Sequence, residues 1–457
     1  MGGENCMASD PSVLHAAALA HVMLRAGIVG PVGEPHRLSG GANLESWLFA
    51  CGTDEFVLRR APSAQWIGAR ALSMAGEAAL IRSARAGGVP APDVVIELEP
   101  GDALGIGFIM RKVPGSADPE SVLASPPTLA GEIAHAMARL HALDPANFVF
   151  LPRLAPKAGV EALAAQFAEA GGDRPLIALG LAWLRANLPP PAPLRVVHGD
   201  LRIGNVMADA GHLTAVLDWE LGHLGDGHED LAYGCMTVWR FGRLANPALG
   251  LTDIATFADA YEAAGGERFD PARFRFWLVY RTVWWALGCL SMGLAWRSGA
   301  DRSLERVVVA RRTAEQELDL LLLLECDAPA CERSRPMPPT GQSPLAGPSA
   351  GQGEPSAAEL LTAISEWLAS SIKPKLEGRE RFELAVAQNA LGIVRRELAA
   401  RPAVADRDLA DAILSRRISL VETGLLAALR RRALDTLCAD MPKYAALEIA
   451  RALWENA

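Results

Sequence analysis

The sequence predicts an α+β chain built as two lobes, a small α+β one and a larger, mainly helical one, followed by a separate all-α domain. Three observations carry this. Strand-like runs are confined to the first part of the chain and to one island between Leu194 and Trp219. Helical periodicity dominates elsewhere, and a stretch rich in Pro, Gly and Ser interrupts it late in the chain. At 457 residues, of which 50% are hydrophobic and 21% charged, the chain is long enough for more than one core.

The small lobe is expected over residues 12–113. Trp47-Leu48-Phe49-Ala50 and Phe56-Val57-Leu58-Arg59 flank Cys51-Gly52-Thr53-Asp54, the pattern of a β-hairpin with a glycine-containing turn. Residues 69–86 lack Pro and run into Gly87-Gly88, which predicts a helix with a glycine stop. Val94-Val95-Ile96 and Phe108-Ile109-Met110 read as two further strands.

The larger lobe is expected over 114–326. Its most apolar run, Phe276 to Trp296, is interrupted by Arg281 and flanked by Arg273, Arg275 and Arg297, so it reads as a buried core helix rather than a membrane span. From Asp327 to Ser356, 15 of 30 residues are Pro, Gly or Ser, which predicts a flexible linker. The last block, 357–457, is helical by pattern. Leu360, Leu361, Ile364, Trp367, Leu368 and Ile372 form one apolar stripe, and Phe382, Val386, Asn389, Ile393 and Val394 suggest a second. This block has 15 Lys/Arg against 14 Asp/Glu, whereas residues 1–356 have 29 against 39, a difference that fits a fused module.

The net charge of −9 argues against nucleic acid or an anionic membrane as the main partner. The seven cysteines are scattered without a CxxC pair, as expected of reduced thiols, and the first residues carry two acids and no basic segment. A cytoplasmic location is expected.

Chemistry concentrates in Val196-Val197-His198-Gly199-Asp200-Leu201-Arg202-Ile203-Gly204-Asn205. Phosphoryl transfer from ATP needs a carboxylate to accept the proton of the acceptor hydroxyl and oxygen ligands for Mg²⁺ on the phosphates. Asp200 and Asn205 have the base-to-ligand spacing of such a loop, and Asp218, directly after the strand-like Ala215-Val216-Leu217, supplies a second metal ligand. The small lobe must then cover the phosphates. Ser39, Gly40, Gly41 and Asn43, before the hairpin, can do so through backbone N–H groups. Arg59 closes the second hairpin strand and can reach the phosphates, with Glu77 in the next helix as its partner. Phe108 to Val113 reads as a hinge at which Met110, Arg111 and Val113 contact adenine. No Gly-x4-Gly-Lys-Ser/Thr is present, which excludes a P-loop enzyme by motif.

These motifs resemble the aminoglycoside phosphotransferase family, the small-molecule branch of the protein-kinase-like fold, in which the loop reads His-Gly-Asp. Val57 to Pro62, Gly88-Val89-Pro90-Ala91-Pro92, Leu140 to Asp144, Leu217-Asp218-Trp219-Glu220 and Asp230-Leu231-Ala232 resemble the branch related to kinase domains attached to some acyl-CoA dehydrogenases. The similarity covers roughly residues 12–320. It implies Asp200 as base, Asn205 and Asp218 as metal ligands, and Arg59 with Glu77 as the pair that positions phosphates, an arginine standing where the wider kinase pattern has lysine. His198 and Asp230 then support the loop. Leu376-Glu377-Gly378-Arg379, Ala387 to Leu391, Ile393 to Leu398 and Pro442-Lys443-Tyr444 resemble a small helical domain of unknown function often encoded beside such kinases; packing on the kinase or mediating oligomerisation is its expected role.

The acceptor is less defined. The resemblance suggests a hydroxyacyl-CoA; the alternatives are an aminoglycoside, choline or a sugar, for which Glu220 and Asp226 offer acidic substrate contacts. The arginines from Arg268 to Arg312 read as a solvated helix face or as a site for coenzyme A phosphates. A metal-dependent hydrolase using His198, His223 and His228 with the neighbouring aspartates is a rival reading, and a catalytically inactive scaffold another.

Overall fold

A computed structural model of the chain describes residues 16–38, 44–63, 70–339, 357–400 and 404–455. The predicted phosphate loop at Ser39, Gly40, Gly41 and Asn43 lies outside the described residues, as does 340–356 of the predicted linker. The chain divides into two compact units. One comprises Met1–Leu154, Ala192–Gly234 and Leu251–Phe269; the other comprises Ala155–Pro191, Cys235–Gly250 and Asp270–Ala457.

The first unit is built on a five-stranded antiparallel sheet. Its strands are β1 (His36–Arg37), β2 (Glu45–Cys51), β3 (Asp54–Ala61), β4 (Val94–Glu97) and β5 (Ile106–Arg111), ordered β1-β2-β3-β5-β4. The predicted hairpin is β2–β3, paired from Glu45↔Arg60 to Cys51↔Asp54. Alternation puts Phe49, Phe56 and Leu58 into a core with Leu19, Val22 and Met23 of the helix Ala16–Arg25. Arg59 pairs with Phe108 across β3–β5, and its neighbour Gly107 is fixed as glycine because a Cβ there would lie 2.1 Å from the Arg59 carbonyl oxygen.

The helix over Met74–Ala86 starts a few residues later than its periodicity predicts, because the Ser73 side chain accepts the Gly76 N–H at 3.0 Å and caps it there. Its inner face buries Glu77, Leu80 and Ile81. Below the sheet, β6 (Arg195–Val197) pairs with β9 (His223–Gly225), and β7 (Val206–Asp209) forms a hairpin with β8 (His212–Val216). Strands β7 and β9 were not predicted; they are short and lack an alternating apolar run of their own.

The second unit is all helix. The predicted core helix runs Pro271–Ser298 and buries Phe276, Trp277, Val279, Val283 and Leu287. It is long and apolar enough to cross a membrane, but half of its most apolar window is buried against protein. Arg281 is only 4% exposed and lies 5.0 Å from the Trp284 ring centroid, which explains its place in an apolar run. The helices Pro175–Ala186 and Thr313–Leu324 pack beside it.

The terminal helices join this same core. Leu425–Asp440 packs on Thr313–Leu324, and Arg407–Leu414 packs on Pro175–Ala186, where the Asp406 N–H bonds the Asp173 carbonyl at 2.7 Å. The first part of the predicted flexible linker departs from expectation. It carries a helical turn at Ala330–Arg333, and buried Glu332 accepts from Gly424 N–H at 2.7 Å while Arg430 bonds the Arg333 carbonyl at 2.8 Å. Those contacts offset the ordering entropy that the composition alone leaves unmet. The first terminal stripe also differs from expectation: Leu360, Ile364 and Trp367 stay about half exposed, so helical spacing there does not mark a core face. The six described cysteines are free.

Candidate active site

The loop between β6 and β7 is held from beneath by one buried carboxylate. Asp230 is fully buried, and its two oxygens accept the His198 and Gly199 N–H groups, each at 2.8 Å. His141 Nε2 donates to the same carboxylate at 3.1 Å, and the Tyr261 hydroxyl in turn holds His141 Nδ1 at 2.8 Å. Burial alone would raise the pKa of Asp230, but the His141 hydrogen bond, the two nearby histidines and the backbone N–H more than offset it and hold the group at about 2. Gly199 has φ of +79°, and a Cβ there would meet the Leu221 carbonyl at 2.6 Å, so the turn that raises Asp200 needs glycine.

His198 ties this loop to the next. Burial outweighs the surrounding carboxylates and pushes its pKa down, leaving a neutral ring. Its Nε2 donates to the Leu217 carbonyl at 3.0 Å and its Nδ1 accepts the Asp200 N–H at 3.1 Å. The adjoining residue, Asp218, sits at φ 63°, ψ 64°, left-handed for a non-glycine residue, where strain is kept only if the surroundings over-determine it.

Asp200 is buried, accepting Arg202 Nε at 3.1 Å on one oxygen and Asn205 Nδ2 at 2.7 Å on the other. Burial raises its pKa, Arg202 opposes this, and the charge of Asp218 adds to it. Asn205 and Asp218 are brought together by the β7–β8 hairpin, whose first pair is Val206↔Val216; one step beyond, Leu217 N–H bonds the Asn205 carbonyl at 2.8 Å. The spacing read from the sequence is thus the length of a hairpin.

Arg59 crosses to this loop from β3. Its Nη2 lies 2.6 Å from Asp218 Oδ1 and 3.3 Å from Glu220, and its Nε lies 3.0 Å from Glu77 Oε1. Burial would lower its pKa, but Glu77, Asp218 and Glu220 together drive it upward. Arg70 completes the cluster, 2.7 Å from Glu77 and 3.5 Å from Glu220. Glu220, expected as a substrate contact, is placed in this cluster instead; burial and then the charge of Asp218 push its pKa up to about 7, against Arg59 and Arg70. Asp226, the other expected substrate contact, is 5% exposed and accepts the His228 N–H at 3.0 Å, so it ties the backbone before the helix His228–Tyr233 and does not line the cleft.

A cleft of about 430 Å³ opens under the sheet, lined by Leu48, Val57 and Phe108 with Met110, Arg111 and Val113 on one side and Asn205 and Asp218 on the other. Arg111 is anchored by Asp54 at 2.7 Å. Arg70, Arg202, His141 and Tyr261 were missed by the sequence reading. Arg202 lies inside the loop itself; Arg70 joins through Glu77, seven residues on, and through Glu220, while His141 and Tyr261 meet the site through long-range contacts. The histidines of the hydrolase reading do not converge. The two ring nitrogens of His223 lie 2.9 Å from the Leu221 carbonyl and 3.0 Å from Glu229, His198 is engaged as above, and no group of three metal-ligating His, Cys, Asp or Glu occurs among the described residues.

Comparison with known proteins assigns the stretch of chain that holds this loop to a family. Residues 35–277, more than half of the chain, match the model of the phosphotransferase enzyme family (APH), and residues 374–444 match a domain of unknown function, DUF6285. "Acyl-CoA dehydrogenase family member 10" of Mus musculus is 29% identical over 208 residues, covering 40% of this chain and 18% of that protein. "Probable acyl-CoA dehydrogenase IBR3" of Arabidopsis thaliana is 27% identical over 156 residues, covering 30% of this chain and 19% of its own length. The chain thus matches less than a fifth of each of these curated relatives. A solved structure from Ralstonia eutropha JMP134, assigned as an aminoglycoside phosphotransferase, superposes with a TM-score of 0.54 at 21% identity over 68% of this chain and 98% of that one, a likeness of fold.

Proposed function

Because the chain belongs to the phosphotransferase enzyme family and is a small-molecule kinase, we propose that it moves the γ-phosphoryl group of ATP to a hydroxyl of a small acceptor in the cleft under the sheet, and that the acceptor is a hydroxyacyl-CoA. The observation that carries this is the joining of Asp200, Asn205 and Asp218 by two loops tied to each other through His198 and the β7–β8 hairpin.

In this reading Asp200 accepts the hydroxyl proton as the acceptor oxygen bonds to the γ-phosphorus and the bond to the β,γ-bridging oxygen breaks, releasing ADP. Burial raises its pKa above the ordinary carboxylate value, which favours proton uptake. Asn205 spends its amide nitrogen on Asp200, leaving its amide oxygen as the available donor; with the Asp218 carboxylate it forms an all-oxygen set suited to Mg²⁺. Those two residues would hold the ion, which would offset charge on the phosphate oxygens. Arg59, set by Glu77 and Arg70, positions phosphates, and Met110, Arg111 and Val113 border the adenine end, with Ser39, Gly40, Gly41 and Asn43 as the covering loop. Asp230 and His198 hold the loop in shape.

Two observations support the acyl-CoA acceptor over an aminoglycoside. The curated relatives carry acyl-CoA dehydrogenase names. The acids lining the cleft, Glu77 and Asp218, are already paired with Arg59, so little uncompensated acid meets a polycation. The test is ADP release measured against hydroxyacyl-CoAs, choline, sugars and aminoglycosides. Turnover with a hydroxyacyl-CoA is expected, and turnover with an aminoglycoside alone would reverse the assignment.

A further inference from the structure

The region matching the domain of unknown function, with Leu361, Ser365 and Lys373 just before it, lines an open cavity of about 550 Å³ within the second unit. Its walls gather residues from motifs that the kinase reading leaves unused: Gln388 and Asn389, Arg395 and Arg396, and Lys443, joined by Lys373. We propose that this cavity binds the phosphate groups of a small organic phosphate.

Charge is the first support. Four cations line the cavity and no Asp or Glu does, in a chain whose net charge is −9. None of the four makes an ion pair among the described residues: Arg396 bonds the carbonyls of Ala439 at 2.7 Å and Asp440 at 3.4 Å, and Arg395 lies 3.4 Å from the Thr362 hydroxyl. Several other arginines of the unit are paired with carboxylates, although Arg302 and Arg416 also bond carbonyls. Arg275 pairs with Asp327 at 2.9 Å, Arg306 with Asp301 at 2.8 Å, Arg311 with Glu397 at 2.9 Å and Arg312 with Glu315 at 3.0 Å. Of the arginines from Arg268 to Arg312, an alternative site for coenzyme A phosphates, these four already have their anions, whereas Arg302 donates to the Trp296 carbonyl at 3.1 Å.

Shape is the second support. The volume is in the range of a small-molecule site and too small for a macromolecule. Gly392 leaves its space to Arg396, whose Nη1 would lie 2.9 Å from a Cβ at that position. The guanidinium is thereby folded against helix carbonyls beside Arg395, and burial followed by that like charge pushes its pKa down against the opposing charge of Asp440. An anion in the cavity relieves this crowding, while the amides of Gln388 and Asn389 supply neutral donors, as phosphate recognition uses.

Isothermal titration of the full chain with pyrophosphate and, separately, with coenzyme A tests the proposal. Both are expected to bind, and the double variant Lys373→Gln/Lys443→Gln is expected to weaken both by about tenfold or more, with its ligand-free thermal midpoint unchanged because neither lysine side chain makes a hydrogen bond or ion pair among the described residues. Adding Arg395→Gln should weaken them further. Tighter binding of coenzyme A than of pyrophosphate identifies a nucleotide-bearing ligand, and the reverse identifies a bare phosphate group. Absence of binding by both probes, or affinity undiminished in the double variant, overturns the proposal.

Discussion

Under the five-stranded sheet, Arg59 and Arg70 are enclosed by Glu77, Asp218 and Glu220, whereas Lys373, Arg395, Arg396 and Lys443 line the terminal cavity without an acid among its lining residues and without an ion pair among the described residues. The contrast follows from burial. The Arg59 side chain is 14% exposed and that of Glu77 1%, depths at which a lone charge is costly and pairing is compulsory. Lys443 and Arg395 sit at an exposed rim, where an unpaired cation costs little. The first arrangement is paired internally, and its carboxylate Asp218 is also one of the two proposed metal ligands. The second leaves its electrostatic complement to whatever enters.

The sharpest way to break this comparison is at the loop that carries Asp200. Asp200→Ala is expected to cut turnover about 10³-fold while Mg·ATP binding, followed by titration calorimetry, stays near normal; near-normal turnover would sink the assignment of the base. Arg59→Gln tests whether the cleft cluster is structural as well as functional. It leaves Glu77 with Arg70 alone, and a loss of about 2–4 kcal/mol in urea unfolding is expected, together with weaker nucleotide binding.

A third test lies in the second unit, where Asp319 is buried against the Tyr444 hydroxyl at 2.6 Å. Burial, with the charge of Glu315, pushes its pKa up to about 7 despite that hydrogen bond. A carboxyl whose folded pKa is raised contributes stability that is full below its unfolded value and lost as pH climbs to the folded one. Asp319→Asn should therefore flatten the decline in stability between about pH 4 and about pH 7, measured as the urea midpoint at several pH values. An unchanged slope would mean that the group is ionised throughout. The smallest effect is reserved for the cavity rim: Lys373→Gln and Lys443→Gln should each shift stability by less than about 0.5 kcal/mol, in contrast to Arg59→Gln.

What the sequence disclosed follows range of interaction. Asp200, Asn205 and Asp218 were legible because a short loop and a hairpin turn their relation into fixed spacing. The hairpin β2–β3 and the glycine stop after Ala86 were legible for the same reason. His141, Tyr261 and Arg70 were not, since what makes each matter is a partner far along the chain or, for Arg70, a helix face whose beginning is set by the Ser73 cap. The terminal stripe misled in the other direction: Leu360, Ile364 and Trp367 have the spacing of a buried face and remain half exposed. Periodicity reports which residues share a face, and burial of that face depends on neighbours that no local pattern encodes.

The β7–β8 hairpin has a consequence for how this chain tolerates length change. Its two free ends carry Asn205 and Asp218, while its turn, Ala210-Gly211, lies at the far end of the ladder. Residues inserted at that turn would lengthen a loop and leave the paired ends where they are. A single residue inserted within either strand would instead slip the register and turn every following side chain to the opposite face. Length variants of the hairpin should therefore sort into silent and inactive classes according to where the insertion falls, with its size a minor influence.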